Sequence, residues 1–223
     1  MVHAVLFDLD GTLVDSERQY SEALARALRA GQGLEITQDD RDFCVGRSWV
    51  AIHAHLAARY PALAWDRDQV IAATAAASRE LFAREGVWEL PGARAAVARF
   101  ADRRRGLVTG SSRAEAGHML ELLGLADAFA VRLCAEDVPR SKPAPDGYRQ
   151  ACQALGVEPA RTLVVEDSAA GVAAGRAAGC AVVAVRAGNF AGHDQSAAHH
   201  VIDTLDELTP ELARAVAEAA GAR

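Results

Sequence analysis

Two aspartates near the start of the chain are the first residues whose types and spacing suggest chemistry. Asp8 and Asp10 stand one residue apart, directly after an apolar stretch, and the following Gly11 and Thr12 indicate that the chain turns there. Such a turn brings both carboxylates towards one centre, where two like charges raise one pKa unless a cation intervenes. The pair therefore favours an ionised nucleophile beside a metal and a second acid that holds a proton.

A second acidic pair, Glu166 and Asp167, follows the apolar run 163–165. Mg²⁺ takes oxygen ligands, and proteins commonly hold it with one or two carboxylates, several waters and a substrate phosphate. Asp8 and Asp167 would supply these carboxylates if the two apolar runs end at the same edge of a sheet. Neither acidic pair has a Cys or His beside it in the sequence, which argues against Zn²⁺.

Further polar residues follow other apolar runs. Lys142 lies beside two prolines, which suit a rigid turn, so we expect it to neutralise a phosphate or the nucleophile. Thr109 ends an apolar run, and Ser112 with Glu115 has the spacing of a capping box that opens a helix. Ser111 and Ser112 then either cap this helix only or also bind a phosphate oxygen there; the two roles are compatible.

Strand patterns alternate with helical patterns through most of the chain. Short apolar runs predict strands at 3–9, 106–109, 131–135, 162–166, 181–185 and 199–202. This alternation predicts an α/β fold with a Rossmann-like parallel sheet and helices on both faces. Because ligands bind beyond the carboxyl ends of such strands, we expect Asp8, Thr109 and Glu166 to lie at one edge of the sheet.

The segment 15–88 is different, because no strand pattern interrupts it. Tyr20, Leu24 and Leu28 recur at helical spacing, and a similar repeat runs from Val70 to Leu81. We therefore predict an all-helical insert at 15–88, placed after the first strand. The α/β catalytic core would comprise residues 1–14 and 89–223.

Composition limits the classes of partner. The chain has 223 residues, half of them hydrophobic, and a formal net charge of −6, which argues against a nucleic-acid binder. No apolar run approaches the ~20 residues that span a bilayer, and the first residues lack a signal-peptide pattern. The four cysteines are scattered, as expected for core residues in a reducing compartment. We expect a soluble, cytoplasmic monomer that contacts neither membrane nor nucleic acid.

Together these motifs resemble the haloacid dehalogenase (HAD) superfamily, in its branch with a small helical cap that includes β-phosphoglucomutase and sugar-phosphate phosphatases. The resemblance covers nearly the whole chain. Its four motifs stand in the family's order, each at a predicted strand end: FDLDGTLVDS (7–16), VTGS (108–111), KPAPD (142–146) and VEDSAAG (165–171).

The resemblance implies a Mg²⁺-dependent phosphatase that acts on a small phosphorylated metabolite. Asp8 would form an aspartyl-phosphate, and Asp10 would serve as acid and then as base. Thr109 and Lys142 would hold the phosphoryl oxygens, with Gly110 and Ser111 as further substrate contacts. Mg²⁺ would be bound by the carboxylates of Asp8 and Asp167 and by the backbone carbonyl of Asp10. Glu166 would be a further ligand or would support the ligands from behind.

Asp10 also distinguishes between branches of the family. The dehalogenases and the phosphonate-cleaving members lack a carboxylate at this position, so the resemblance disfavours both activities. A phosphomutase is the alternative enzyme. Mutases of this branch carry a His early in the cap, where this chain has Tyr20, which weakens that interpretation. A catalytically idle small-molecule-binding protein is the alternative from another class, although the intact acidic set and Lys142 speak against it.

The cap would choose the substrate. Arg47, in the segment Gly46-Arg47-Ser48-Trp49, is a candidate substrate contact, since a guanidinium binds phosphate or carboxylate in a bidentate manner. A surface salt bridge is the equally weighted alternative for this arginine.

Overall fold

The computed structural model describes residues 1–221, which divide into two compact units. One unit comprises Met1–Asp15 together with the described residues from Glu89 onward, and the other is Ser16–Trp88. We call them the sheet unit and the helical unit. That the helical unit acts as a substrate-selecting cap stays a prediction.

The sheet unit contains a six-stranded sheet in which every paired neighbour is parallel. The order across the sheet is β3-β2-β1-β4-β5-β6. The chain adds β2 and β3 on one side of β1 and then crosses over to add β4, β5 and β6 on the other side. The predicted α/β, Rossmann-like fold is therefore confirmed. The strands are β1 (Ala4–Phe7), β2 (Arg104–Val108), β3 (Val131–Leu133), β4 (Thr162–Glu166), β5 (Ala181–Val185) and β6 (His200–Ile202).

Strands β1 and β5 are apolar along their whole length, and β4 is apolar between its two end residues, because both faces of the sheet are covered. Leu6 and Val164 belong to one buried cluster that also contains residues of two helices, among them Ala151 and Val172. Residues that alternate with them, such as Phe7 and Val165, are equally buried on the opposite side.

Some helices of the sheet unit begin at residues whose side chains cap them, and others begin without a side-chain cap. Ser112 and Glu115 form the predicted capping box, in which the Ser112 side chain accepts from the Glu115 N–H. Ser168 caps the helix after β4 by accepting from the Gly171 N–H. These helices are α5 (Ala93–Arg99), α6 (Arg113–Leu122), α7 (Asp146–Leu155), α8 (Ala169–Ala178) and α9 (Pro210–Gly221).

The helical unit is built around two long helices that pack along each other, α1 (Ser16–Gln32) and α4 (Arg67–Glu85), with α2 (Gln38–Cys44) and α3 (Trp49–Arg59) between them in the chain. Leu24, Leu28, Leu56 and Val70 form its apolar core. No helix within residues 1–221 is both long and apolar enough to cross a membrane.

A buried carboxylate ties α2 to α3. Asp40 is fully buried, and it lies 2.7 Å from both the His55 Nε2 and the Arg59 Nε. It also accepts hydrogen bonds from the Thr37 side chain at the start of α2 and from the Tyr60 hydroxyl. A buried charge needs such partners, so this network fixes the conformation of the segment that carries Arg47.

Leu6 tests the packing of the sheet. It is fully buried in the central strand β1, so Leu6→Ala is expected to lower the free energy of unfolding by about 2–5 kcal/mol. The matched control is Val50→Ala, because Val50 is 63% exposed and its loss should cost less than about 0.5 kcal/mol. Urea denaturation followed by circular dichroism measures both, and equal effects of the two substitutions would contradict the proposed core.

Candidate active site

The candidate site lies beyond the carboxyl ends of β1 and β4, the two neighbouring strands between which the strand order reverses. Asp8 follows β1, and its backbone N–H donates to the Val165 carbonyl at 3.0 Å, which extends the β1–β4 pairing by one residue. Glu166 ends β4 and Asp167 follows it. Parallel α/β sheets bind ligands at this position, so the topology itself brings the two acidic motifs together.

Lys142 is the cation at the centre of this acidic group. Its Nζ lies 2.5 Å from the Asp8 Oδ1 and 2.6 Å from Glu166 Oε1, and it donates to the Val108 carbonyl at 3.0 Å. The residue reaches the site from the loop before α7, where the Lys142–Pro143 peptide bond is cis. Although burial alone would lower the pKa of Lys142, the Asp8 and Glu166 carboxylates raise it, so the ammonium stays charged.

Glu166 is completely buried, and the surrounding chain satisfies its charge. Its carboxylate accepts from the Tyr148 hydroxyl at 2.8 Å and from the backbone N–H groups of Asp167 and Ser168. Gly171 leaves the space that this carboxylate fills, since a Cβ there would overlap it. Burial opposes ionisation, but Lys142 and these hydrogen bonds lower the pKa of Glu166 below its usual value. Glu166 is therefore ionised and paired with Lys142.

Asp167 faces Asp8 and is held by residues 8–12, the turn that carries the first acidic pair and is called the first acidic turn below. The Thr12 hydroxyl donates to the Asp167 Oδ1 at 3.1 Å, and Gly11 packs against the same carboxylate so closely that a Cβ would overlap it. Burial and the neighbouring Asp8 and Glu166 charges raise the pKa of Asp167 to about 9. For Asp8, burial raises the pKa to about 7 against the opposing attraction of Lys142.

The three carboxylates fit a divalent metal ion. Oxygen atoms of Asp8, Glu166 and Asp167 lie within 4.8 Å of one another, and all three residues are buried. Lys142 compensates only one of their charges, so a doubly charged cation would balance the rest. The donors are all oxygens, which suits a hard cation of the Mg²⁺ type.

The Asp10 side chain forms hydrogen bonds with residues that follow β2. Its Oδ2 accepts hydrogen bonds from the Ser111 hydroxyl at 2.5 Å and from the Thr109 hydroxyl at 3.2 Å. The predicted catalytic acid and the predicted phosphate-binding residues thus share one hydrogen-bonded group. The Ser111 backbone N–H also donates to the Thr109 side chain, which fixes the turn before α6.

Two further predicted substrate contacts line cavities of their own units. Gly110 lines a cavity of about 220 Å³ in the sheet unit, together with Thr109 and Lys142. Arg47 belongs to the helical unit, where its guanidinium stands 4.3 Å over the Phe43 ring. There it lines a separate cavity of about 260 Å³ with Tyr20, among other residues. The structure does not pair Arg47 with a carboxylate among the described contacts.

Sequence reasoning missed Tyr148, Thr12 and Gln195 as parts of the site. Tyr148 and Gln195 are buried polar residues whose partners are distant in the sequence. Tyr148 donates to Glu166 at the end of β4, and Gln195 donates to the carbonyl of Asp167, the next residue. Tyr148 looks like any apolar position of an amphipathic helix. Thr12 belongs to the first motif, but nothing in its spacing indicates that it bonds Asp167.

The match to known proteins agrees with this geometry. Residues 2–179 match the profile of the haloacid dehalogenase-like hydrolases, and the chain therefore belongs to this family. The validoxylamine A 7'-phosphate phosphatase of Streptomyces hygroscopicus subsp. limoneus is 34% identical, over 94% of this chain and 95% of the relative. Hexitol phosphatase A of Escherichia coli is 37% identical, over 82% of each chain.

A solved structure supports the same assignment. A HAD family hydrolase of Deinococcus radiodurans, crystallised with bound phosphate and sodium, superimposes with a TM-score of 0.75 at 29% identity. The match covers 98% of this chain and 96% of the other. The predicted family and the predicted enzyme class, a HAD-like phosphoric monoester hydrolase, are confirmed. The roles of the individual site residues stay predictions.

Lys142→Met tests whether this lysine offsets the buried charges. In the metal-free wild type, the lowered pKa of Glu166 contributes stability above pH ~4.5, which is lost as the pH falls through the folded-state pKa. Without the ammonium, burial would raise that pKa, so the variant loses this stability at neutral pH. We expect a loss of about 3–5 kcal/mol at pH 7, shrinking as the pH falls towards 4.

Urea denaturation in EDTA at several pH values measures this difference. Arg140→Met is the matched control, because Arg140 stands in the same loop but is exposed and pairs only with Asp146 among its described ion pairs. A loss that does not change with pH would show that Lys142 acts through packing and not through charge.

Proposed function

We propose that the protein is a Mg²⁺-dependent phosphatase that hydrolyses a small phosphorylated metabolite through an aspartyl-phosphate on Asp8. The observation that carries the proposal is the placement of the Asp8 carboxylate, 2.5 Å from the Lys142 ammonium and beside Asp167 at the end of β1. The Lys142 ammonium favours the ionised form of this carboxylate against the effect of its burial and fixes its direction, as a nucleophile requires.

Asp8 and Asp10 divide the chemistry between them. An Asp8 oxygen attacks phosphorus while the bond from phosphorus to the ester oxygen breaks, and Asp10 gives its proton to that leaving oxygen. Asp10 then removes a proton from water, whose oxygen attacks the same phosphorus and releases Asp8 and inorganic phosphate. The hydroxyls of Thr109 and Ser111 support this role, because both donate to Asp10 and keep its carboxyl at the site.

Lys142, Gly110 and the turn before α6 are the proposed contacts of the phosphoryl oxygens. Phosphoryl transfer depends chiefly on positioning and on compensation of the oxygen charges, so a fixed ammonium is a suitable partner. Asp8, Asp167 and the Asp10 carbonyl would hold Mg²⁺, which would supply charge compensation for the transferred group. Glu166 supports this set by holding Lys142.

The names of the relatives support a substrate class. The two enzymes described above are a validoxylamine A 7'-phosphate phosphatase and a hexitol phosphatase. We therefore propose a sugar phosphate or a similar polyol phosphate. Arg47 is the proposed contact for the remainder of the substrate, since a guanidinium binds an oxyanion in a bidentate manner.

Release of inorganic phosphate from a panel of sugar, polyol and nucleotide phosphates tests the proposal. Turnover should require Mg²⁺ and disappear in EDTA. Asp8→Asn should lower kcat by on the order of 10⁴-fold or more, because the nucleophile is lost. Asp102→Asn is the matched control, since Asp102 is exposed and pairs with Arg103; its activity should equal that of the wild type.

Three outcomes would count against the proposal. Equal turnover by Asp8→Asn would exclude Asp8 as the nucleophile. Interconversion of sugar phosphates that depends on a bisphosphate activator, without release of phosphate, would instead establish a phosphomutase. Binding of sugar phosphates without turnover on any member of the panel would leave a binding protein.

A further inference from the structure

Gln195 is a buried amide in the segment between β5 and β6. Only 7% of the residue is exposed, and its Nε2 lies 2.6 Å from the Asp167 carbonyl oxygen and 2.7 Å from the Val185 carbonyl oxygen. Both carbonyls can only accept, so the amide nitrogen must face them, and its two N–H groups are both used. The orientation of the side chain is therefore defined by its partners.

These two carbonyls stand where the pairing of β4 with β5 ends. The last paired residues in this ladder are Glu166 and Ala184, and Asp167 and Val185 are the next residue on each strand. Gln195 thus donates to both strands just beyond their last mutual pairing. Without it, the carbonyls of two buried residues would lose this donor.

The same segment also contacts the first acidic turn. Gly188 approaches the backbone of Gly11 so closely that a Cβ at position 188 would overlap the Gly11 carbonyl. Gly11 in turn packs against the Asp167 carboxylate. The segment from Gly188 to Gln195 therefore supports both turns that carry the acidic residues, one through close packing and the other through the amide.

We propose that Gln195 is a positioning residue for the divalent cation: by fixing the Asp167 main chain, it aims the Asp167 carboxylate at Asp8. The inference rests on the proposed function, in which these two carboxylates hold the metal. Asp167 is then fixed at three points, since Thr12 bonds its side chain, Glu166 accepts from its N–H and Gln195 donates to its carbonyl. Without the hydrogen bond from Gln195, the Asp167 peptide can rotate, and this rotation moves the Asp167 carboxylate.

Gln195→Met tests the inference, because methionine keeps the length of the side chain and removes both donors. Asn189→Ala is the matched control. Asn189 lies in the same segment, and its amide also makes two hydrogen bonds, but both go to the backbone of His193 and neither reaches Asp167. Gln195→Asn is a milder second variant, because its side chain is shorter by one methylene and its amide donors lie farther from the two carbonyls.

Two measurements separate positioning from stability. The dissociation constant of Mn²⁺, used as a spectroscopic probe for Mg²⁺, is obtained from the electron paramagnetic resonance signal of the free ion. Thermal unfolding in EDTA gives the stability without metal. We expect Gln195→Met to weaken Mn²⁺ binding by roughly 10- to 100-fold, and Gln195→Asn by less, while Asn189→Ala stays within about twofold of the wild type.

Several results would overturn the inference. If Gln195→Met or Gln195→Asn lowers the unfolding temperature but leaves the Mn²⁺ dissociation constant unchanged, Gln195 only closes the end of the sheet. An equal loss of affinity in Asn189→Ala would assign the effect to the whole segment. Failure of the wild type to bind Mn²⁺ would overturn the metal site of the proposed function itself, which distinguishes that failure from an error about Gln195 alone.

Discussion

The ion pair of Lys142 with Asp8 and Glu166 is the interaction on which the rest of the site depends. Three carboxylates converge at the buried edge of the sheet, and one ammonium lies within 2.6 Å of two of them. Buried charges of one sign are costly unless they are paired, so each nearby feature serves this balance. Tyr148 and the N–H groups after β4 satisfy Glu166, and the charge that is left over favours a divalent cation.

The sheet topology explains why these charges meet at all. β1 and β4 are neighbours although about 150 residues separate them in the chain, and the order of the sheet reverses between them. β1 is apolar throughout and β4 is apolar in its middle, and the acidic residues that follow these apolar stretches lie at the same edge of the sheet. The fold therefore brings residues that are distant in the sequence into one group. The loop after β2 adds Thr109, and the loop before α7 adds Lys142.

Much of this arrangement could be predicted from the sequence, because the signals are local. The bounds of β4 and β5 follow directly from their apolar runs, and the capping box at Ser112 is visible in four residues. The bounds predicted for other strands were less accurate. β1 was predicted to run to residue 9 but ends at Phe7, because Asp8 already begins the turn. β2 was predicted to start at residue 106 but starts at Arg104, within a basic run that looks like a turn.

What the sequence could not show are contacts between distant polar residues. Tyr148 sits on the buried face of α7, where a periodic pattern predicts only packing, and Gln195 lies in an irregular segment with no motif. Their roles depend on which carboxylate or carbonyl the fold places opposite them. The same holds for Arg47, whose spacing gave no sign that it stacks on Phe43.

The most direct test of the central claim is to trap the phosphorylated aspartate. Asp10→Asn should still accept phosphate from p-nitrophenyl phosphate, whose leaving group needs no proton, but it should hydrolyse the intermediate slowly for want of a base. Acid quenching and peptide mass spectrometry should then find one phosphoryl group on Asp8. Release of p-nitrophenol without label on Asp8, or label on another residue, would contradict the account.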